Sequence, residues 1–299
     1  MLSICIPVYN HDLNALVSSL HEQGVNLNIP FEIILADDAS EKNYRTQNIK
    51  LDQLDHVKYI QLDKNIGRAK IRNLLASKSS FQYLLFIDCD TIVPDDNYLK
   101  RYMPYLKKGI VVCGGTTYYN SLKNKQFRLR WLYGTKREEK TAKQRGKKPN
   151  RSFMTNNFLI HKELFNKYKL NETISGYGHE DTYFGYQLKK EGISIIHIDN
   201  PLIHVGLETS DVFLNKTREA IRNLLKAYKY TEHDKEFASM VSLLQAYSRV
   251  KQFKIAFFMR FGYKTFKNLM DKNLLGSKPK LWIFDLYKLG YICIAEDES

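Results

Sequence analysis

What most limits the folds open to this chain is a recurrence in its first half. Five short apolar runs, at residues 3–8, 31–36, 56–62, 83–87 and 110–119, alternate with segments of helical potential. Short, mostly apolar strands separated by helical segments are the pattern of a parallel sheet covered by helices on both sides. Strand character returns at 153–160 and 193–198, and a helix is expected to begin near Glu180. From about residue 210 only helices are expected. The fold class is therefore α/β with a helical C-terminal region, divided as 1–208 and 209–299. Open α/β sheets bind ligands at the carboxyl ends of their strands. That edge collects Pro7-Val8-Tyr9-Asn10, Asp37-Asp38-Ala39-Ser40 and Asp88-Cys89-Asp90.

Hydrophobic residues at 43% and charged residues at 26% exclude wholesale disorder. Cys5, Cys89, Cys113 and Cys293 form no Cys-x-x-Cys pair, which argues against a disulfide framework or a structural zinc site. A reducing, cytoplasmic setting is expected, since the N-terminal apolar run lacks a basic leader and no stretch is long enough to span a bilayer. The net charge of +14 is uneven. Residues 122–151 hold twelve Lys/Arg against Glu138 and Glu139, a net of +10. Residues 249–288 hold ten against Asp271 and Asp285, a net of +8. The first cluster, 121–151, reads as a flexible basic loop that either stays solvated or closes over phosphates.

Three constellations carry chemistry. Asp88 and Asp90 are one residue apart at the end of a buried strand, so their carboxylates share a side and form a mouth for a hard divalent cation. An isolated Asp-x-Asp is usually a solvated loop, and the preceding strand is what strengthens the reading. Gly176-Tyr177-Gly178-His179-Glu180-Asp181 combines glycines that permit close backbone approach with two carboxylates where a helix starts. Such a segment is either an ordinary acidic first turn or the seat of a general base. His204 matters only where the fold brings it beside Asp90, as a further metal ligand.

Taken in order, Pro7-Val8-Tyr9-Asn10, Ala36-Asp37-Asp38-Ala39-Ser40, Asn65-Ile66-Gly67 with Arg72-Asn73, and Asp88-Cys89-Asp90 resemble the family 2 glycosyltransferases of the GT-A fold, whose nucleotide-binding sheet is Rossmann-like. Gly176–Asp181, followed by Phe184-Gly185-Tyr186-Gln187-Leu188, resembles the C-terminal motif of chondroitin-polymerase-type and β-1,4-galactosyltransferase-type enzymes. The resemblance implies an inverting transfer of a hexose (Gal, Glc, GalNAc or GlcNAc) from a UDP-sugar to a glycan or lipid-diphosphate-linked acceptor, in surface polysaccharide biosynthesis. It implies that Pro7, Tyr9 and Asp38 border the nucleobase, with Asp37 in reserve for Asp38, and that Arg72 approaches the nucleoside or diphosphate. Cys89 and Gly178 would also line the nucleotide-sugar site. Asp88 would meet the ribose, or the metal through water, while Asp90 and His204 hold Mn²⁺ or Mg²⁺. Asp181 would be the catalytic base and Glu180 would bind acceptor hydroxyls. His179 stands where a small residue is frequent and Tyr177 where tryptophan is frequent.

Two rivals remain at this stage. A sugar nucleotidyltransferase would carry a glycine-rich phosphate loop after the first strand, and Pro7-Val8-Tyr9-Asn10-His11-Asp12 has no glycine. A nucleic-acid-binding protein would suit the charge, but no RNA-binding motif accompanies the aromatics and the strand-end acids repel phosphate, so no nucleic-acid partner is expected. Phe253, Phe257, Phe258, Phe261 and Phe266 fall on no clean helical stripe, so ordinary helix packing is expected of them. The alternative is a peripheral membrane contact through 249–288, at the inner face of the cell membrane.

Overall fold

A computed structural model describes residues 1–122, 124–174 and 176–296. The chain separates into two compact units. The first comprises Met1–Tyr118, Glu139–Ser175 and Phe184–Gly206, and the second Tyr119–Glu138, Gly176–Tyr183 and Leu207–Ser299.

Among the described residues the first unit holds ten strands: β1 (Leu2–Val8), β2 (Phe31–Asp37), β3 (Val57–Gln61), β4 (Tyr83–Ile87), β5 (Thr91–Ile92), β6 (Ile110–Cys113), β7 (Thr116–Thr117), β8 (Asn157–His161), β9 (Ser194–His197) and β10 (Leu202–His204). Seven of them form one sheet in the order β3-β2-β1-β4-β8-β6-β9, and a small second sheet runs β5-β10-β7. Side chains of β1 alternate between two cores, as strand geometry requires. Leu2, Ile4, Ile6 and Val8 pack with Leu16, Val17 and Leu20 of the helix Asn14–Asn26. Cys5 packs on the other face with Ala69 and Leu75 of the helix Arg68–Lys78. A slip of one residue would exchange the two sets, so the β1–β2 register from Leu2↔Phe31 to Val8↔Asp37 is strongly fixed.

Two expectations about the sheet need correction. It is not wholly parallel, because β8 runs antiparallel to both β4 and β6. All five residues of β8 are buried, and a strand covered on both faces has the same apolar pattern in either direction. The run at 110–119 is also two strands in different sheets. Gly115 breaks it at φ +94°, and a Cβ there would fall on the Arg145 guanidinium.

Nor is 121–151 without structure of its own. It contains a 3₁₀ turn at Lys125–Phe127, helices at Arg128–Tyr133 and Ala142–Gly146, a π turn at Gly134–Glu138 and a further 3₁₀ turn at Asn150–Ser152. The charge hid this, because several of its cations have internal partners. Arg130 is buried and pairs with Glu138 at 2.9 Å. Buried Arg145 donates to the carbonyls of Gly114 at 2.9 Å and Ile198 at 2.7 Å. Thr141 and Gln144 close a capping box on the second helix.

The C-terminal part of the second unit is helical as expected, with helices at Ser210–Tyr230, Lys235–Met240, Ser242–Gln252, Ala256–Leu274 and Leu281–Ala295. Phe213, Leu214, Ile221, Leu224 and Ala227 form the buried face of the first of these. Tyr133, Phe213 and Phe284 meet pairwise with ring centroids 5.6 Å apart. The last two helices cross closely where Gly290 meets Tyr263, since a Cβ on Gly290 would lie 2.7 Å from Tyr263 Cβ. Among the described residues no helix is long and apolar enough to cross a membrane. Ordinary packing is not the fate of the five phenylalanines: Phe253, Phe257, Phe258, Phe261 and Phe266 are all exposed. The helix Ala256–Leu274 buries only Tyr263 and Leu274.

Candidate functional site

The parallel strands β1, β2, β3 and β4 bring their carboxyl ends to one edge of the sheet, and the loops that follow are tied together there. The Asp38 backbone N–H donates to Val8 O at 2.8 Å, and Asn10 N–H donates to Ser40 Oγ at 2.9 Å. Asn10 and Ala39 sit at φ +49° and +64°, the tight bends that let each strand end abruptly. Asp37 is fully buried; its carboxylate accepts from Ser40 N–H at 2.7 Å and from the Tyr59 hydroxyl at 2.5 Å. Burial, then Asp37, pushes the Tyr59 phenol well above its usual range. Asp38 spans to the next loop, accepting from Ile66 N–H at 2.6 Å and Gly67 N–H at 2.9 Å. The two acids expected near the nucleobase thus hold the rim's backbone in shape. A carboxylate keeps further lone pairs for a ligand while doing so. Tyr9 stands exposed on the same edge.

Gly67, at φ +87°, starts the helix Arg68–Lys78, and one turn in, Arg72 is buried. Its Nη2 is bonded to Asp88 Oδ1, and Arg68 lies 4.0 Å from the same carboxylate. Nη1 donates to Arg68 O at 3.0 Å, whereas Nε is buried with no hydrogen-bond partner among the described residues. Asp88, expected at the ribose or the metal, is therefore locked to two arginines. Cys89 is a free thiol pushed up to about 12 by burial and then by Asp90, which keeps it neutral.

Asp90 meets His204 because of the small second sheet. β5 follows Asp90 directly and pairs antiparallel with β10, placing His204 opposite Thr91. Val205 N–H closes the arrangement on Asp90 O at 2.9 Å, and a Cβ on Gly206 would strike the Asp90 carboxylate. The result is His204 Nδ1 at 3.5 Å from Asp90 Oδ1, with Tyr118 edge-on to the imidazole at 5.5 Å. Burial works to raise the Asp90 carboxyl, but the bond and charge of His204, with Arg68 and His11, hold it below the usual carboxylate range. An anionic oxygen and an imidazole nitrogen at this separation suit a shared divalent cation. Donors about 2.0–2.2 Å from one ion in neighbouring positions lie about 3 Å apart, so little adjustment is needed. Among the described residues no third His, Cys, Asp or Glu joins them in a cluster. The protein would hold such an ion by Asp90 and His204 and leave most of its coordination open.

The second unit carries the other predicted group. Gly176, Gly178 and His179 adopt φ of +85°, +91° and +72°, so the segment is tightly coiled. The helix Ser210–Tyr230 supports it. Glu219 accepts from Tyr177 N–H at 3.0 Å, and Asn223 donates to Tyr177 O at 3.1 Å. At Gly178 a Cβ would come within 2.9 Å of Ala220 Cβ. Glu180 and Asp181 form the acidic first turn of the helix Glu180–Lys190, Glu180 being buried, and Asp181 Oδ1 accepts from Thr182 N–H at 2.6 Å. Desolvation pushes the His179 imidazole down to about 4 against the pull of Glu180.

Residues 3–169 match glycosyl transferase family 2, more than half of the chain. The chain belongs to that family. This glycosyl transferase is similar to the chondroitin synthase of Pasteurella multocida (strain Pm70), 27% identical over 68% of the chain and 24% of that protein. It is also similar to the chondroitin synthase of Escherichia coli, 24% identical over 64% of the chain and 32% of that protein. It therefore spans only a quarter to a third of the length of these relatives. Among solved structures, Staphylococcus aureus TarS 1–349 in complex with UDP aligns over 99% of the chain and 90% of that chain, with TM-score 0.54 and 17% identity. The mannosyltransferase PcManGT from Pyrobaculum calidifontis, in complex with GDP-Man and Mn²⁺, aligns over 99% and 86%, with TM-score 0.54 and 11% identity. At these identities the likeness establishes the fold, which is GT-A.

In this glycosyl transferase the first unit brings together Pro7, Tyr9, Asp37, Asp38, Arg72, Asp88, Cys89, Asp90 and His204, while Gly178, Glu180 and Asp181 belong to the second. Several contributors were missed. Arg68 and His11 act on Asp90, Tyr118 buttresses His204, and Glu219 with Asn223 carries the Gly176–Gly178 segment. Glu219 and Asn223, four apart and so on one side of the helix, were the one readable sign.

Proposed function

We propose that the chain is a metal-dependent, inverting hexosyltransferase. In this reading residues 1–208 are the catalytic domain, and the sugar passes from a UDP-sugar to a hydroxyl of a glycan or lipid-diphosphate-linked acceptor during surface polysaccharide synthesis in the cytoplasm. The observation that carries it is the Asp90–His204 pair at the rim, beside the Arg72–Asp88 pair and the loops that Asp37 and Asp38 fasten. Asp90 and His204 would hold Mn²⁺ or Mg²⁺, whose positive charge offsets the charge that grows on a departing nucleoside diphosphate. The relatives support that chemistry, since PcManGT was solved with GDP-Man and Mn²⁺ and TarS with UDP.

The remaining roles fall to side chains. Tyr9 offers an exposed ring beside the Pro7 strand end, suited to a nucleobase face, and the fastened Asp38 offers an acceptor at its edge. Arg72 adds fixed positive charge near the diphosphate, with Asp88 keeping its guanidinium oriented. Cys89 lines the nucleotide-sugar site, with Asp37 in support. Asp181 takes the proton of the attacking hydroxyl and Glu180 orients the acceptor, so the sugar carbon is approached from the face opposite the leaving group. A panel of UDP-sugars read by UDP release tests this reading. Asp181→Asn should keep UDP affinity and lose about 10²–10⁴ in turnover. Near-normal turnover in Asp181→Asn would remove it as the base.

A further inference from the structure

The helix Ala256–Leu274 ought to bury its apolar side, and it does the reverse. Phe257, Phe258, Phe261, Phe266 and Leu269 are 54–69% exposed, and Trp282 of the following helix is 59% exposed. At about 100° per residue, Phe257, Phe258, Phe261, Phe266 and Leu269 lie within about half the helix circumference. They are thus one face, broader than a packing stripe. Between this helix and Leu281–Ala295 runs a groove of about 350 Å³ whose lining, Phe258, Phe266, Leu269, Trp282 and Leu286 among it, is almost entirely apolar. Monomeric proteins rarely leave so continuous an apolar patch in water without a use for it.

The charge around the patch identifies the occupant. Lys254, Lys264, Lys272, Lys278 and Lys280 are exposed in the same stretch, and Arg260 stands on the helix between Phe257 and Phe261. Residues 249–288 carry a net +8. A second copy of the chain would cover the phenylalanines only by opposing one cationic border to another, which is costly. An anionic lipid bilayer supplies an apolar interior for the rings and negative headgroups for the border at once. Trp282 at the rim of the groove fits the same interface, where amphipathic rings sit at headgroup depth.

We propose that the face formed by Phe257, Phe258, Phe261, Phe266 and Trp282, with Arg260 and Lys264 on the same helix and Lys254 just before it, binds the surface of an anionic membrane peripherally. It builds on the lipid-linked acceptor of the proposed function, since an enzyme held at the bilayer meets that acceptor in two dimensions, but the surface itself is independent of the chemistry.

Flotation of the full chain with vesicles of phosphatidylcholine, with or without phosphatidylglycerol, tests it. The chain should float with the anionic vesicles only and be released by high salt. Exchanging Phe257 and Phe258 together (Phe257→Ser with Phe258→Ser) should lower partitioning at least about tenfold, each ring contributing a transfer term of that order. Lys254→Gln with Lys264→Gln should lower it as well, and turnover of a UDP-sugar with a soluble acceptor should be unchanged in both pairs. Equal partitioning of wild type and the serine pair would overturn the inference. So would a concentration-dependent dimer, abolished by the serine pair, in a chain that never floats. Flotation without turnover on any UDP-sugar would instead count against the proposed function and leave the surface standing.

Discussion

The buried ion pair at the rim makes an asymmetric prediction. Arg72 has a side chain 3% exposed and Asp88 one 19% exposed, so the arginine depends on its partner more than the carboxylate does. Asp88→Ala strands a buried guanidinium whose Nε has no partner among the described residues and whose other bond is to the Arg68 carbonyl. Stranding a buried charge costs about 3–5 kcal/mol. Water reaching the site from the Asp88 side places this case near the lower end, about 3 kcal/mol. Arg72→Met leaves Asp88 hydrated and still 4.0 Å from Arg68, and the long apolar side chain fills the arginine's space. Its cost should be about 1 kcal/mol. Amide hydrogen exchange of β1 and β4 is the right assay. The two tryptophans, Trp131 and Trp282, both lie in the second unit, so fluorescence would report the other part of the chain. If Arg72→Met destabilises β1 and β4 as much as Asp88→Ala, the pair is not there to compensate a buried charge.

Two further outcomes follow from the second unit. Gly178→Ala places a Cβ at φ +91° and 2.9 Å from Ala220, so it should cost about 1–2 kcal/mol, measured as a lowered urea midpoint of the second unit by tryptophan fluorescence. An unchanged midpoint would mean that the segment bends elsewhere at no cost. His179 titrates at about 4 in the folded chain and near its ordinary 6.5 when unfolded, so the unfolded state binds more protons between those values. Stability should therefore fall as pH drops through that window, by at most about 2 kcal/mol between pH 7.5 and 5, and His179→Gln should flatten that part of the profile. An identical slope in the variant would assign the loss to other groups.

Much of the fold was legible because strand burial and helix amphipathicity are written in apolar spacing. β1, β2 and β4 read clearly, since Ile4, Ile33 and Leu85 sit in uninterrupted apolar runs. What spacing does not encode is strand direction, so the antiparallel course of β8 could not be read from it. Nor does it encode long-range pairing: Arg130 and Arg145 look like solvated cations in a basic tract until Glu138 and the carbonyls of Gly114 and Ile198 are beside them. The candidate site was legible as residue types at strand ends. The meeting of Asp90 and His204 was expected from the family resemblance and not from spacing, because it depends on pairing the two-residue strand β5 with β10 across more than a hundred residues. Asp37 and Asp38 show the converse. Their chemistry was visible, but their first employment, bonding Ser40, Tyr59, Ile66 and Gly67, is a property of the folded loops.

Calorimetric titration of UDP into the protein, with Mn²⁺ and again with chelator, puts the central claim to its most direct trial. If Asp90 and His204 hold the cation that the nucleotide needs, Mn²⁺ should tighten UDP binding in the wild type, and Asp90→Ala or His204→Ala should weaken the Mn²⁺-dependent affinity at least about tenfold. UDP affinity that is indifferent to chelator, or a Mn²⁺ effect that survives both substitutions, would contradict the assignment of the metal site.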